Sequence, residues 1–171
     1  MENFTNDLID IAALPNYEKV DFQPISRKYL TKTLLQTAGF MVTIVIGWGF
    51  LFYFEWESIY IFGILLVILL WFAFLFWNVF KLQENYGFAL REKDISYRRG
   101  FLVNKITVVP FDRIQHVSTA RGLLDKKLGI ATLNIFTAGG SGSDIKIPGL
   151  EPDLALRLKE AVSKKLSDNA F

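Results

Sequence analysis

Two long uncharged segments in the first half of the chain limit its fold more than any other feature. Residues 34–54 and 58–80 are 21 and 23 residues long, and neither contains Asp, Glu, Lys, Arg or His. A helix of either length, at about 1.5 Å per residue, spans the roughly 30 Å of a bilayer's hydrocarbon core. A core helix of a soluble protein keeps a polar face, which both segments lack. The sequence therefore predicts two membrane-spanning helices, and the short link "EWE" at 55–57 makes them an antiparallel hairpin.

Lysine and arginine around these segments predict the orientation of the hairpin. Cationic residues flank it on both sides, whereas the link has none; they are Arg27, Lys28 and Lys32 before it, and Lys81, Arg91, Lys93, Arg98 and Arg99 after it. Short flanks rich in Lys and Arg stay in the cytoplasm, and acidic residues have little effect. We therefore expect both termini to be cytoplasmic and Glu55 and Glu57 to lie on the outer side of the membrane.

The chain contains no cysteine, so one introduced thiol can report the side on which the link lies. We expect Ser58→Cys to react with a membrane-impermeant thiol reagent in intact cells. Reaction only after lysis would place the link in the cytoplasm and overturn the orientation.

Composition divides the chain into three parts. With 171 residues, 51% of them hydrophobic, it can hold one hairpin and one small domain. We expect a cytoplasmic segment at 1–33, the hairpin at 34–80 and a cytoplasmic domain at 82–168. Residues 1–33 carry a net charge of −1 and residues 81–171 a net charge of +5. A basic domain is attracted to an anionic cytoplasmic leaflet, although positive-inside topology alone would give the same charge.

Small residues recur every four positions in the first apolar segment, at Gly39, Thr43 and Gly47. At this spacing they share one helix face and allow another backbone to approach closely. This helix-packing face either contacts the second segment of the same hairpin or docks another membrane protein. Because neither segment contains an ionisable residue, an ion or proton pathway through the hairpin alone is not expected.

Beyond residue 81 the pattern changes to short alternating pieces separated by turn signals. These pieces predict strands at 85–91, 95–99, 105–110, 113–120, 131–138 and 145–150, with a turn or short helix at 121–129. Residues 151–166 predict a helix whose apolar stripe is formed by Leu154, Leu158, Ala161 and Val162. The expected fold class is α+β: a transmembrane hairpin, then a small curled antiparallel sheet closed by a C-terminal helix.

Several pieces of this domain together resemble a known family. The pieces "VVPFDRIQHV", "GLLDKKLGI", "TLNIFTAGG" and "IPGL", followed by a helix, are similar to the bacterial pleckstrin-homology-like (PH-like) domain of the YdbS/YdbT membrane proteins. The resemblance implies a PH-like fold, no enzyme activity, no cofactor and a place in the bacterial cytoplasmic membrane. Two preceding spans match the shorter YdbS-like type, for which the resemblance implies a longer YdbT-like membrane partner.

Basic residues on the predicted turns are the candidate ligand site. Arg or Lys clusters on loops can bind lipid phosphates; the candidates are Arg98, Arg99, Lys105, Lys126 and Lys127. The alternative is a solvated basic surface. His116 is the only histidine and cannot form a metal site alone. Arg113 is expected to be structural, pairing with Asp112 or Asp125. Membrane tethering and modest charge argue against nucleic-acid binding.

Two functional hypotheses follow from these features. In the first, the chain is a non-enzymatic membrane-anchored interaction module that assembles with another membrane protein or with itself. In the second, it is a module that binds anionic lipid through its basic loops.

Overall fold

The structure, a computed structural model, describes residues 20–53, 58–139 and 144–168. The predicted link at 55–57 lies outside these residues, as does most of the glycine-rich connection after Gly139.

Two long apolar helices form the hairpin, α1 (Lys28–Tyr53) and α2 (Ser58–Asn85), and both are long and apolar enough to cross a membrane. They lie side by side, and the Phe72 ring of α2 is buried with only 2% of its surface exposed. Most other large side chains on both helices are exposed, as expected where lipid replaces water. Both helices also continue past the apolar segments: α1 begins at Lys28 and α2 ends at Asn85, so each has a polar end beyond its apolar segment.

Within the residues that the structure describes, seven strands form two antiparallel sheets. The first sheet has the order β1-β2-β3-β4, with β1 at Gln23–Pro24, β2 at Gly87–Leu90, β3 at Asp94–Arg99 and β4 at Lys105–Pro110. The second has the order β5-β6-β7, with β5 at Ile114–Ala120, β6 at Ala131–Thr137 and β7 at Ile145–Leu150. These strands confirm the six predicted from the sequence.

The hairpin is inserted within the first sheet. β1 precedes α1 in the sequence but pairs with β2, which follows α2, in the register Gln23↔Phe88 and Pro24↔Gly87. The next residue, Ile25, is 4% exposed and belongs to the core. Sequence patterning did not predict β1, because two residues are too few to show alternation. Residues just before the hairpin therefore fold as part of the sheet domain.

The core lies between the two sheets, and α4 (Pro152–Asp168) covers it. Ile95, Leu133, Ile135 and Ile147 are fully buried. From α4, the residues Ala155, Leu158 and Val162 are buried, while Leu154 and Ala161 are only partly buried. The predicted stripe is thus confirmed at its centre and rotated slightly toward Ala155. The segment predicted as a turn or short helix forms α3 (Leu123–Leu128).

Candidate functional site

The first turn of α1 is fixed to the end of β7. The Ser26 main-chain N–H donates to the Gly149 carbonyl at 2.8 Å. Gly149 has φ +68°, in the left-handed region that favours glycine, and a Cβ there would lie 2.6 Å from the Tyr29 Cβ. The Tyr29 side chain therefore occupies the space that any other residue at position 149 would need.

Three tyrosines link the hairpin to the first sheet. The ring centroids of Tyr29 and Tyr86 are 5.8 Å apart, and those of Tyr86 and Tyr97 are 6.1 Å apart. Burial, together with the neighbouring phenols, raises the pKa of Tyr86 and Tyr97, although the Arg99 charge opposes this. Gln83 adds a polar link, since its amide nitrogen donates to the Ser26 carbonyl at 3.3 Å. The tyrosines remain neutral and act as packing groups.

An ion pair joins α1 to α3. The Lys32 ammonium lies 2.7 Å from Asp125 Oδ1, and the Asp125 side chain is only 8% exposed. Asp125 Oδ2 also accepts a hydrogen bond from the Gly122 N–H at 3.0 Å, which caps the N-terminus of α3. Burial alone would raise the pKa of Asp125, but Lys32, Gly122 and Arg121 together lower it below its ordinary value. The carboxylate is therefore charged at neutral pH and holds α3 against the start of α1.

The β3–β4 turn reaches the apolar part of α2. The Phe101 ring meets the Trp77 ring edge-on, with centroids 5.5 Å apart. Gly100 begins this turn at φ +96°, where a Cβ would clash with the Val103 carbonyl oxygen. The turn therefore needs glycine at this position. Beyond it, Leu102 and Val103 are 65% and 79% exposed.

The structure separates the five candidate basic residues into groups. Arg99 and Lys105 are directly opposite each other across β3 and β4, and both are exposed. Arg98 projects to the other face of the sheet, because neighbouring strand residues alternate. There its guanidinium carbon lies 4.9 Å from the Phe22 ring centroid, and it is only partly exposed. The adjacent arginines therefore do not act as one pair.

Lys126 and Lys127 lie in the last turn of α3, beside α1, and are exposed. They belong to a different element from Arg99 and Lys105. The sequence grouped Arg98 and Arg99 with Lys105 and placed Lys126 and Lys127 on another link. The structure keeps Arg99 opposite Lys105, packs Arg98 on a ring and leaves Lys126 and Lys127 on α3.

The small-residue face does not contact α2. Gly39, Thr43 and Gly47 are exposed, and a Cβ at either glycine would meet nothing within 4 Å among the described residues. The residues of α1 that recur at seven-residue spacing, such as Leu34 and Met41, are the partly buried ones. Among the described residues, α1 therefore turns a different face toward α2.

The remaining candidates have ordinary positions. His116 lies on β5 and stacks on the Phe136 ring across the sheet, with centroids 4.1 Å apart. Asp125 pairs with Lys32 instead of Arg113, so that alternative for Arg113 is wrong. The Arg113 carbonyl accepts a hydrogen bond from the Ala138 N–H at 3.1 Å. Within the described part of the chain, no three His, Asp or Glu side chains form a group that could hold a metal ion.

Comparisons with known proteins agree with this architecture. A model of the bacterial PH domain family matches residues 30–166, which include α1 from its third residue, the whole of α2 and every described strand except β1. The transmembrane protein YdbS of Bacillus subtilis (strain 168) is 35% identical over 82 residues, which are 48% of this chain and 50% of that protein. Transmembrane protein YdbT of the same organism is 29% identical over 83 residues, 48% of this chain and 17% of that protein. The matched region thus spans half of YdbS and 17% of YdbT. No solved structure matches the chain significantly.

Proposed function

The chain belongs to the bacterial PH domain family, and from that premise we propose that it is a non-enzymatic membrane-anchored interaction module that assembles with another membrane protein. The carrying observation is the exposed face formed by Gly39, Thr43 and Gly47. Small residues at this spacing allow close helix–helix contact in lipid, where packing drives association. The Thr43 hydroxyl already donates to the Gly39 carbonyl at 3.1 Å, so the face presents little unsatisfied polarity.

The proposed partner is a longer membrane protein of the same family, similar to YdbT. Just under half of this chain resembles YdbS and just under half resembles YdbT, and the stretch matched to YdbT is only 17% of that protein. Self-association through the same face is the alternative partner. In this proposal the protein lies in the bacterial cytoplasmic membrane with both termini in the cytoplasm, in agreement with its cationic flanks. As the cytoplasmic control for Ser58→Cys, the exposed α4 position Lys164→Cys is expected to react only after lysis.

Affinity purification of the tagged full-length protein in mild detergent, followed by mass spectrometry, tests the assembly. We expect a stoichiometric membrane protein to co-purify with the wild type and to be lost from the Gly39→Leu, Gly47→Leu double variant. The two leucine side chains would fill the space that the backbone of a partner helix needs for close contact. Gly63→Leu is the matched control, since Gly63 on α2 is also exposed with nothing within 4 Å of a Cβ. A wild-type protein that purifies as a lone monomer would contradict the proposal.

A second candidate function is the binding of anionic lipid, and the cross-strand pair Arg99–Lys105 favours it. Both side chains are exposed beside a turn that contacts α2, so they are near the predicted headgroup region. Lysine and arginine at this depth attract anionic headgroups by about 1 kcal/mol each. Arg98 is omitted from the test because its packing on Phe22 would confuse loss of binding with loss of fold.

The same purification, with mass spectrometry of lipids, tests this candidate. Arg99→Glu with Lys105→Glu is expected to reduce the enrichment of anionic lipid several-fold. Lys164→Glu with Lys165→Glu makes the same change of net charge at exposed positions of α4 and is expected to leave it unchanged. Equal lipid enrichment in wild type and in the Arg99/Lys105 variant would refute the candidate.

A further inference from the structure

The β3–β4 turn has an unusual composition for a hairpin turn. Between Gly100 and Asn104 it consists of Phe101, Leu102 and Val103, where polar residues are ordinarily found. Leu102 and Val103 are among the most exposed large apolar side chains of the domain. Exposed apolar residues that lie side by side indicate an interaction surface rather than a solvated one.

Two contacts determine the direction in which this turn extends. Tyr97 packs near Tyr86, which directly follows α2, and Phe101 packs on Trp77, which precedes Tyr86 by nine residues. The nine helical residues between Trp77 and Tyr86 and the four extended residues between Tyr97 and Phe101 each cover roughly 13 Å. Strand β3 and its turn therefore run alongside α2, from its polar end back toward its apolar part.

Trp77 gives the depth that the turn reaches. It is one helical turn, about 6 Å, before Lys81, which is the first charged residue after the apolar segment. Lys81 pairs with Glu84 at 3.0 Å and marks the polar side of the boundary. Tryptophan at such a boundary belongs to the interfacial aromatic belt. The turn thus contacts α2 at the level where lipid acyl chains begin.

Charge on the two strands is consistent with this depth. Arg99 and Lys105 flank the turn, one on each strand and directly opposite each other. Long cationic side chains beside an inserted apolar group extend to the phosphates while their alkyl stems remain in the apolar layer. Apolar residues at the tip with cations behind them form the arrangement expected of a loop that enters a membrane surface.

We infer that the β3–β4 turn is a second membrane anchor, in which Leu102 and Val103 enter the acyl-chain boundary of the lipid leaflet beside α2 while Arg99 and Lys105 contact the headgroups. The ligand is the lipid surface itself, without selectivity for one headgroup. The inference goes beyond the proposed assembly and lipid binding but rests on the hairpin crossing the membrane. Together with the junction at Gly149, this anchor would hold the sheet domain at a fixed orientation on the bilayer.

Fluorescence of single-cysteine variants tests this inference, because the chain has no native cysteine. Full-length Val103→Cys, labelled with the environment-sensitive fluorophore NBD, is reconstituted into phosphatidylcholine–phosphatidylglycerol vesicles. Lipids with a nitroxide near the headgroup or near the acyl-chain end are then added. We expect blue-shifted emission and loss of most of the signal with the shallow nitroxide.

Two further positions make the result decisive. Val67→Cys on α2 is 66% exposed near the middle of its apolar segment and is expected to be quenched by the deep nitroxide. Leu156→Cys on α4 is 50% exposed and is expected to show neither shift nor quenching. Quenching at position 67 with water-like, unquenched emission at position 103 would overturn the inserted turn. Absence of quenching at position 67 would overturn the membrane placement, and the inserted turn with it.

Discussion

Replacing Asp125 with alanine is expected to lower the free energy of unfolding of the sheet domain by about 2–4 kcal/mol, because it leaves the Lys32 ammonium without its partner and removes the cap of α3. The ammonium and Asp125 Oδ1 are 2.7 Å apart, and the two side chains are 18% and 8% exposed. Breaking a pair this buried costs more than breaking a surface pair. Thermal unfolding of the detergent-solubilised protein, followed by circular dichroism, measures the loss.

Matched variants separate the charge from the cap. Asp125→Asn retains an acceptor for the Gly122 N–H but not the charge, so it should lower the free energy of unfolding by less than Asp125→Ala does. Lys32→Met leaves the carboxylate buried and unpaired, and adding Asp125→Asn to it should restore much of the stability. A coupling free energy near zero in this double-mutant cycle would show that the ion pair does not hold α3 on α1.

The stabilisation that the Lys32–Asp125 pair provides should depend on pH, and the pKa of Asp125 gives the direction of this dependence. The pKa of Asp125 is lowered in the folded protein, from an ordinary value of 3.8. The unfolded chain therefore takes up the proton first, and the stabilisation is complete above about pH 4 and lost as the pH falls through the folded pKa. Wild type should lose this contribution on acidification below about pH 4, whereas Asp125→Asn, which has no such proton to bind, should not.

Gly149→Ala is expected to destabilise the junction between the hairpin and the sheet domain by about 2–4 kcal/mol. At φ +68° a left-handed conformation costs an L residue about 1–2 kcal/mol, and the new Cβ would also lie 2.6 Å from the Tyr29 Cβ. Overpacking of this kind adds about 1–2 kcal/mol, within the range typical of an extra methyl group in a packed site. Hydrogen exchange of the Ser26 amide, which donates to the Gly149 carbonyl, measures the opening directly.

Gly129→Ala is the control for Gly149→Ala. Gly129 has φ +67°, nearly the same conformation, but a Cβ there would meet only the flexible Lys28 Nζ at 3.6 Å. It should therefore incur the conformational cost alone, about 1–2 kcal/mol, without faster exchange at Ser26. Equal effects of the two substitutions would mean that contact with Tyr29 contributes nothing to the junction.

The candidate site was less predictable from the sequence than the fold. The five basic residues were found by their charge, but strand alternation places Arg98 and Arg99 on opposite faces, and only Lys105 lies across from Arg99. The apolar turn at Phe101 was not singled out, although three apolar residues in a predicted turn were a visible signal. Its meaning depends on Trp77, which is 24 positions away in the sequence.

Features that depend on local pattern could be predicted from the residues alone: two apolar helices, the strands after residue 81, the C-terminal helix and its buried stripe. Each follows from hydrophobic periodicity or length, which neighbouring residues are enough to define. Other features became visible only in the folded protein: the pairing of β1 with β2 around the hairpin, the Lys32–Asp125 ion pair, the contact of Tyr29 with Gly149 and the outward direction of the Gly39 face. These features join segments far apart in the chain or depend on the rotation of one helix against another. They therefore depend on how whole elements pack against one another, and a short stretch of sequence does not show this packing.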